Sequence, residues 1–279
     1  MNLESLRREF LKEIFSKIVV CNTDGVPNFA DKHSASSIVI SKKLLEILGL
    51  RVSRKRSSSQ TVGRIFEEAV RKFLEKALEE LDHLRSWPYR VHLHRKIWDF
   101  SQYRHLRMLN EAFEKYPELK TSLGRDYFIA PDIVVSLEPL EDELLNRKTK
   151  GFVSGTTARL SPIRRENSSF EILHAVISCK WTIRSDRAQN ARAEALTLVQ
   201  KRKGRSPHLV VVLAEPLPSR IASLAFGTGE IDMTYHVCLY ELKEAVKASG
   251  IEDQVEILEM LISGNRLRDI SDLPLDLQV

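Results

Sequence analysis

The chain of 279 residues carries 43 basic and 38 acidic side chains, which gives a formal charge of +5 at pH 7. Apolar residues make up 43% of it and charged residues 29%, an ordinary composition for a globular protein. No apolar run approaches the roughly 20 residues of a membrane span, and the charged N-terminal segment lacks the apolar centre of a signal peptide. Cys21, Cys179 and Cys238 are far apart, which argues against a disulfide framework and a CxxC zinc site. We therefore expect a cytoplasmic protein with no membrane partner.

Basic residues cluster in four segments, at 51–56, 89–96, 103–107 and 201–205. Such clusters suit a polyanion, although each one is also typical of solvated surface.

The first half of the chain has the hydrophobic pattern of helices. They are predicted at residues 2–18, 42–50, 61–84 and near 103–115. The third is strongly amphipathic, and Ser59 or Thr61 is placed to cap it. A serine-rich basic loop at 53–60 precedes it.

The second half alternates strands and helices. Strands are predicted at 127–138, 170–181, 208–215 and 234–240, and helices at 187–203 and within 241–263. Pro131 marks an edge or a bulge of the first strand, and residues 139–168 are expected to form a loop with some helix. This order predicts one α/β domain over residues 1–279, with a mixed central β-sheet flanked by helices. The N-terminal helices are expected to pack on a catalytic core of about 60–240.

Three residues lie where the predicted strands and helix would bring them together. Asp132 begins the apolar run IVVS, Lys180 ends the next strand, and Glu194 lies on the helix after it. This set suits phosphodiester hydrolysis: a carboxylate can hold Mg²⁺ against a phosphate oxygen, and a lysine can orient water and support the negative transition state. The spacing alone is weak, since PD followed at a distance by a lysine occurs by chance in many sequences. A turn aspartate, a lysine snorkelling from a strand end and a surface glutamate also explain it.

The residues after Lys180 add a second feature. Arg184, Asp186 and Arg187 crowd into the entry of the predicted helix. Arginine pairs bidentately with guanine, and aspartate accepts from cytosine N4. These groups therefore suit the reading of adjacent G·C pairs beside a metal site, although Asp186 is also placed to cap the helix and both arginines suit ordinary surface.

The stretch SCKWTIRSDR (178–187), with PD upstream and Glu194 downstream, resembles the CCGG-cutting group of type II restriction endonucleases. This group has the PD-(D/E)xK nuclease fold with its usual acid displaced onto the helix. Ser178 stands where the general pattern has an acid, so Glu194 takes the displaced role. The resemblance runs from about residue 31 to residue 220.

By this resemblance further residues gain roles. Glu67, in SQTVGRIFE (59–67), is the further active-site acid, and it is preferred to Glu68 because it follows Phe66. Gln60 approaches bases from the minor groove, and the backbone carbonyl of Cys179 is a metal ligand. Asp31 and Arg220 correspond to readers of the outer base pair; as single residues, a turn aspartate and a surface arginine remain open for them.

The resemblance implies a Mg²⁺-dependent endonuclease with two ions per active site. It would cut double-stranded DNA at G^CCGGC, leaving four-base 5′ overhangs, and act as a homo-oligomer, either a dimer or a dimer of dimers. Two alternatives stay open. A repair or junction-resolving nuclease of the same fold needs the acids and Lys180 but not the reading residues, and a non-catalytic DNA-binding protein needs only the basic clusters.

Overall fold

A computed structural model of the chain describes residues 2–53, 57–84, 87–119, 129–183, 185–227 and 229–279. For residues 185–187 it describes the backbone alone. In these ranges no helix combines the length and the apolar character needed to cross a membrane. Cys21, Cys179 and Cys238 are all free thiols.

Three helices precede the sheet: α1 (Leu3–Ile18), α2 (Ala35–Leu48) and α3 (Ser59–Glu80). The predictions for α1 and α3 are confirmed to within a few residues. The predicted start of α2 at residue 42 is wrong, because Ser34 caps the helix by accepting a hydrogen bond from Ser37 N.

The prediction that Ser59 or Thr61 caps α3 is also wrong. Ser58 precedes the helix, and its Oγ accepts a hydrogen bond from Thr61 N at 3.2 Å. The helix therefore starts inside the segment that was expected to be a loop.

Among the described residues, six strands form one mixed sheet in chain order, from β1 to β6. Their bounds are β1 Tyr89–Leu93, β2 Ile133–Leu137, β3 Ile172–Lys180, β4 His208–Leu213, β5 Met233–His236 and β6 Leu267–Asp269. β1, β2 and β3 pair antiparallel, whereas β3 to β6 pair parallel. The predicted mixed sheet flanked by helices is thus confirmed, and β6 extends it beyond residue 240.

The strand predictions differ from the structure in two places. The strand expected at 127–138 begins only at Ile133, after Pro131, and the described residues include nothing from 120 to 128. The strand expected at 234–240 ends at His236. There His236 Nδ1 accepts a hydrogen bond from Cys238 N at 3.1 Å, and a helix begins at Leu239.

Seven helices accompany the strands in the described part of the chain. They are α4 His105–Lys115, α5 Asp142–Leu145, α6 Ser185–Lys201, α7 Pro218–Ala225, α8 Leu239–Ser249, α9 Glu252–Ser263 and α10 Leu273–Asp276. α4 and α6 lie close to their predicted bounds, and α5 is the expected helix in the loop of 139–168.

Two apolar clusters cover the two faces of the sheet. On one face, Phe66 and Phe73 of α3 belong to the same buried cluster as Ile177 of β3. On the other, Tyr103 and Leu198 pack with Val134, Val176 and Leu209. Since β4 is covered on both faces, its sequence HLVVVL is almost continuously apolar, as in other central parallel strands.

Arg7 ties α1 to the C-terminal part of the fold. Its guanidinium donates to Asp269 at 2.8 Å and to Glu241 at 2.6 and 2.8 Å. Asp269 is fully buried, so this bidentate pairing supplies the partner that a buried carboxylate needs.

Arg164 organises the long segment between β2 and β3. It is 2% exposed, forms ion pairs with Asp142 and Glu166, and donates to the carbonyl of Thr157 at 2.7 Å. The same segment leaves Leu160 94% exposed. Its backbone is therefore held from inside while apolar side chains face outward.

Candidate active site

Asp132 and Lys180 meet where β2 begins and β3 ends. The two strands are antiparallel, with Ile133 opposite Ile177, so the first residue before β2 lies beside the last residues of β3. Asp132 Oδ2 accepts a hydrogen bond from Cys179 N at 2.7 Å and another from Lys180 Nζ at 3.1 Å. The structure thus brings together the two residues that the sequence placed at neighbouring strand ends, with both side chains partly accessible.

Glu67 approaches the same point from α3. Burial raises the pKa of its carboxyl, and the charge of Asp132 raises that pKa further. The neighbouring Glu68 instead pairs with Arg71 at 2.9 Å and with Lys72 at 3.7 Å. Of these two adjacent acids, Glu67 is the one that lies near Asp132.

Glu194 is half-buried on α6 and completes the group of acids. Burial raises its pKa, Lys180 opposes that rise, and Asp132 adds to it. Glu67 and Glu194 therefore each interact electrostatically with both Asp132 and Lys180, which links the four residues predicted as catalytic.

This set of oxygen donors suits a hard divalent cation. Three carboxylates near one lysine carry excess negative charge, and the raised pKa values of Glu67 and Glu194 reflect that repulsion in part. Among the described residues no group of three acid, histidine or cysteine side chains is already arranged around one point as metal ligands. The fit therefore rests on the chemistry of the donors and on their shared charge.

Cys179 is buried, and burial raises the pKa of its thiol well above the ordinary value. A protonated thiol is a poor metal ligand and a poor nucleophile. Its backbone, in contrast, is fixed beside Asp132 by the hydrogen bond from Cys179 N. This agrees with a role for the main chain rather than the sulfur.

His94 is a neighbour of the site that the sequence analysis did not single out. Its Nε2 lies 3.2 Å from Glu67 Oε2, and its backbone N donates to the carbonyl of Asp132 at 3.2 Å. It also has a φ of 50°, a left-handed conformation that is uncommon for a residue other than glycine. The alternation in YRVHLH (89–94) was the available signal, but the basic composition of that segment favoured a surface interpretation.

The structure describes the side chains of Gln60, Asp31 and Arg220 among the residues predicted to contact DNA. Gln60 is exposed in the first turn of α3, and Glu67 follows two helical turns later on the same face. Asp31 and Arg220, 189 positions apart, form an ion pair. The backbone N–H of His33 and the charge of Arg220 lower the pKa of Asp31. The structure therefore brings Asp31 and Arg220 into direct contact and places Gln60 on the helix that carries Glu67.

The segment predicted to read the inner G·C pairs cannot be placed in the same way. Arg184 lies outside the described residues, and so do the side chains of Asp186 and Arg187. The backbone of Asp186 and Arg187 lies in the first turn of α6, which begins two residues after the buried Ile183. Their reading roles stay predictions.

Comparisons with known proteins identify sequence relatives of this chain. A sequence model of the NgoMIV restriction enzyme family matches residues 7–279. The chain is 44% identical over 279 residues to the type II restriction enzyme NgoMIV of Neisseria gonorrhoeae, and the alignment covers 98% of this chain and 97% of that protein. The crystal structure of the type IIF restriction endonuclease Bse634I with cognate DNA aligns over 98% of this chain and 92% of that chain, with a TM-score of 0.30 and 11% identity.

The family match and the full-length alignment at 44% identity define the class of this protein as a type II restriction endonuclease. The chain belongs to the NgoMIV restriction enzyme family.

Proposed function

We propose that the protein cleaves double-stranded DNA in a Mg²⁺-dependent reaction at a CCGG-containing palindrome, G^CCGGC, and leaves four-base 5′ overhangs. The proposed hydrolysis is supported by the contact of Asp132 Oδ2 with Lys180 Nζ at 3.1 Å. The charges of both residues also shift the pKa values of Glu67 and Glu194. The target sequence is supported by membership of the NgoMIV restriction enzyme family.

Asp132, Glu194 and the backbone carbonyl of Cys179 are the groups proposed to hold the metal, with Glu194 acting directly or through a water. Bound Mg²⁺, expected as two ions per active site, supplies positive charge against the phosphate and lowers the barrier to attack by water. The hydrogen bond from Cys179 N fixes the carboxylate of Asp132 in advance. Such preorganisation avoids rearrangement during the reaction.

Lys180 is proposed to orient the attacking water and to stabilise the additional negative charge of the transition state. Its ammonium donates to Asp132, so it is held at the point where the phosphate would bind. Glu67 is proposed as the further acid of the site, and it lies against His94 on its other side.

Base recognition is proposed for two groups of residues. Arg184, Asp186 and Arg187 would read the inner G·C pairs from the major groove, with Gln60 approaching from the minor groove. Asp31 and Arg220 would read the outer pair. Their mutual ion pair in the DNA-free protein holds both side chains at one place on the surface.

We also propose that the chain acts as a homo-oligomer, a dimer or a dimer of dimers. A palindromic target matches a twofold symmetric protein in which each subunit reads one half-site. Phe152 and Leu160, which are 70% and 94% exposed, provide apolar surface on the segment that Arg164 holds in place. Analytical ultracentrifugation should show dimers or larger species, and a monomer at every concentration would contradict the proposal.

One experiment tests activity, target and cut position together. The purified protein is incubated with plasmid and Mg²⁺, with a parallel reaction in EDTA, and the ends are sequenced. We expect cuts after the first G of GCCGGC in the Mg²⁺ reaction alone. Cuts without sequence preference would favour a repair or junction-resolving nuclease, and specific binding without cleavage would favour a DNA-binding protein that lacks catalysis.

A further inference from the structure

Glu215 is a buried carboxylate that the catalytic chemistry does not use. It follows β4 and is 0% exposed. Its Oε2 accepts a hydrogen bond from Ile183 N at 2.9 Å, and its Oε1 accepts one from Leu217 N at 3.2 Å. One side chain therefore joins the chain after β3 to the chain after β4.

This double contact requires a carboxylate. Two backbone N–H groups approach two different oxygens, and among neutral side chains a glutamine offers only one oxygen, its other terminus being a donor. The backbone carbonyl of Glu215 is fixed as well. His236 Nδ1 accepts from Cys238 N at 3.1 Å, so Nε2 carries the ring proton and donates to Glu215 O at 3.1 Å.

The two segments that Glu215 joins lead to the two groups of proposed base-reading residues. Ile183 directly precedes residues 184–187, which are proposed to read the inner pairs. Leu217 precedes the first turn of α7, and that turn carries Arg220 with its ion pair to Asp31. A shift of either backbone at Glu215 would move one reading group relative to the other.

We propose that Glu215 is a positioning residue for sequence discrimination, because its buried carboxylate fixes the backbone N–H groups of Ile183 and Leu217 relative to each other. These two residues precede the two groups of proposed base-reading residues. This inference rests on the proposed function. Burial of a carboxylate costs desolvation free energy, which its hydrogen bonds must offset. A role in positioning the backbone would explain why a carboxylate is buried here.

The carboxyl group of Glu215 titrates near neutral pH. Burial raises its pKa to about 7, against the lowering effects of the N–H groups of Ile183 and Leu217 and of Arg220, while Asp31 raises it further. His236, on β5, has its pKa lowered to about 4 by burial, so it stays neutral near pH 7. Only the ionised carboxylate offers both oxygens as free acceptors, because protonation turns one of them into a donor.

The variant Glu215→Gln tests this role. Single-turnover cleavage rates are measured on three duplexes: GCCGGC, ACCGGT with the outer pair changed, and GCTAGC with the central pair changed. We expect the ratio of the GCCGGC rate to each of the other two to fall at least about tenfold, as the loss of a hydrogen bond to a buried backbone group would produce. Glu171→Gln makes the same change at a partly buried carboxylate that accepts hydrogen bonds from Arg95 and Ser136. It serves as the control and should leave both ratios unchanged.

The results separate this inference from the proposed function. If the wild-type protein cuts none of the duplexes with Mg²⁺, the proposed function fails. If it discriminates and Glu215→Gln discriminates equally well, even with a lowered melting temperature, Glu215 has only a structural role and the inference is overturned.

If Glu215→Gln does not fold, the wild-type protein itself provides the test. Its discrimination ratio is measured between pH 6 and pH 8, where effects common to all three duplexes cancel. We expect the ratio to decrease severalfold as the pH falls through about 7. A ratio that is constant over this range would overturn the inference.

Discussion

Asp132 and Lys180 are 48 positions apart in the chain, and Asp132 Oδ2 lies 3.1 Å from Lys180 Nζ. The antiparallel register of β2 and β3 produces this contact, since it sets the start of one strand beside the end of the other. The same oxygen also accepts from Cys179 N, so the pair has a fixed geometry before any substrate binds.

Lys180→Ala should abolish cleavage and leave specific binding intact. The lysine is proposed to stabilise transition-state charge, and the loss of one such group costs about 10²- to 10³-fold in rate. Single-turnover cleavage and gel-shift titrations without divalent metal measure the two properties. Lys243→Ala, an exposed lysine of α8, is the control. Cutting at the wild-type rate by Lys180→Ala would remove Lys180 from the mechanism.

Glu67→Gln and Glu68→Gln make the same chemical change at adjacent residues, of which one lies near an acid and the other pairs with an arginine. Glu67 lies near Asp132, whereas Glu68 pairs with Arg71. We expect Glu67→Gln to slow cleavage by about 10- to 100-fold, as for residues that support a metal site, and Glu68→Gln to change it little. Equal rates for the two variants would show that Glu67 has no special role.

Asp31→Ala and Arg220→Ala should each weaken discrimination at the outer base pair. A lost base contact costs about 1–3 kcal/mol. Because the two side chains form an ion pair, the double variant should lose less than the sum of the single effects. Rates on GCCGGC and ACCGGT measure discrimination at the outer pair, and additive effects there would mean that the ion pair plays no part in reading.

Asp186→Ala and Arg187→Ala should instead weaken discrimination at the inner base pairs.

Arg7→Met should destabilise the fold, although Arg7 contacts none of the proposed catalytic residues. Removing the guanidinium leaves Asp269, which is fully buried, without its charged partner, a change that costs about 3–5 kcal/mol. Arg8→Met is the neighbouring control, since Arg8 forms an exposed pair with Glu4 worth less than about 1 kcal/mol. Urea unfolding measures both, and similar midpoints would contradict this account of the α1 attachment.

The free energy of unfolding should depend on pH through Glu215. Its pKa is about 7 in the folded state and the ordinary value of an exposed glutamate is 4.5. The folded state therefore binds the proton more tightly, so this contribution is full below about pH 4.5 and is lost as the pH rises through about 7. It amounts to a loss on the order of 3 kcal/mol, measured as the difference between wild type and Glu215→Gln in urea at each pH. If this difference in the free energy of unfolding does not change with pH, the carboxyl group of Glu215 is solvated rather than buried.

The amphipathic pattern of α3, the apolar run of β4 and the residues of SCKWTIRSDR were sufficient to predict helices, a mixed sheet and a nuclease of this family. The edge strands β1 and β6 were missed, because β1 has a basic composition and β6 spans only Leu267–Asp269. A strand of three residues, such as β6, gives too little periodicity to be recognised.

The roles of His94 and Glu215 follow only from contacts. His94 reaches Glu67 from a different element, and Glu215 joins two segments that are separate in the chain. The alternation in YRVHLH indicates at most a strand before His94, and no local pattern distinguishes Glu215 from a loop glutamate.

The sequence by itself determined the family, the order of helices and strands and the chemical types of the site residues, because these depend on side-chain identity and local periodicity. Only the tertiary structure decided that Asp132 Oδ2 is shared by Cys179 N and Lys180 Nζ, and that Asp31 pairs with Arg220. It also showed the physical basis of the preference for Glu67, which lies near Asp132 whereas Glu68 pairs with Arg71. Strand register and helix packing set these distances, and both are fixed by the burial of the whole apolar core.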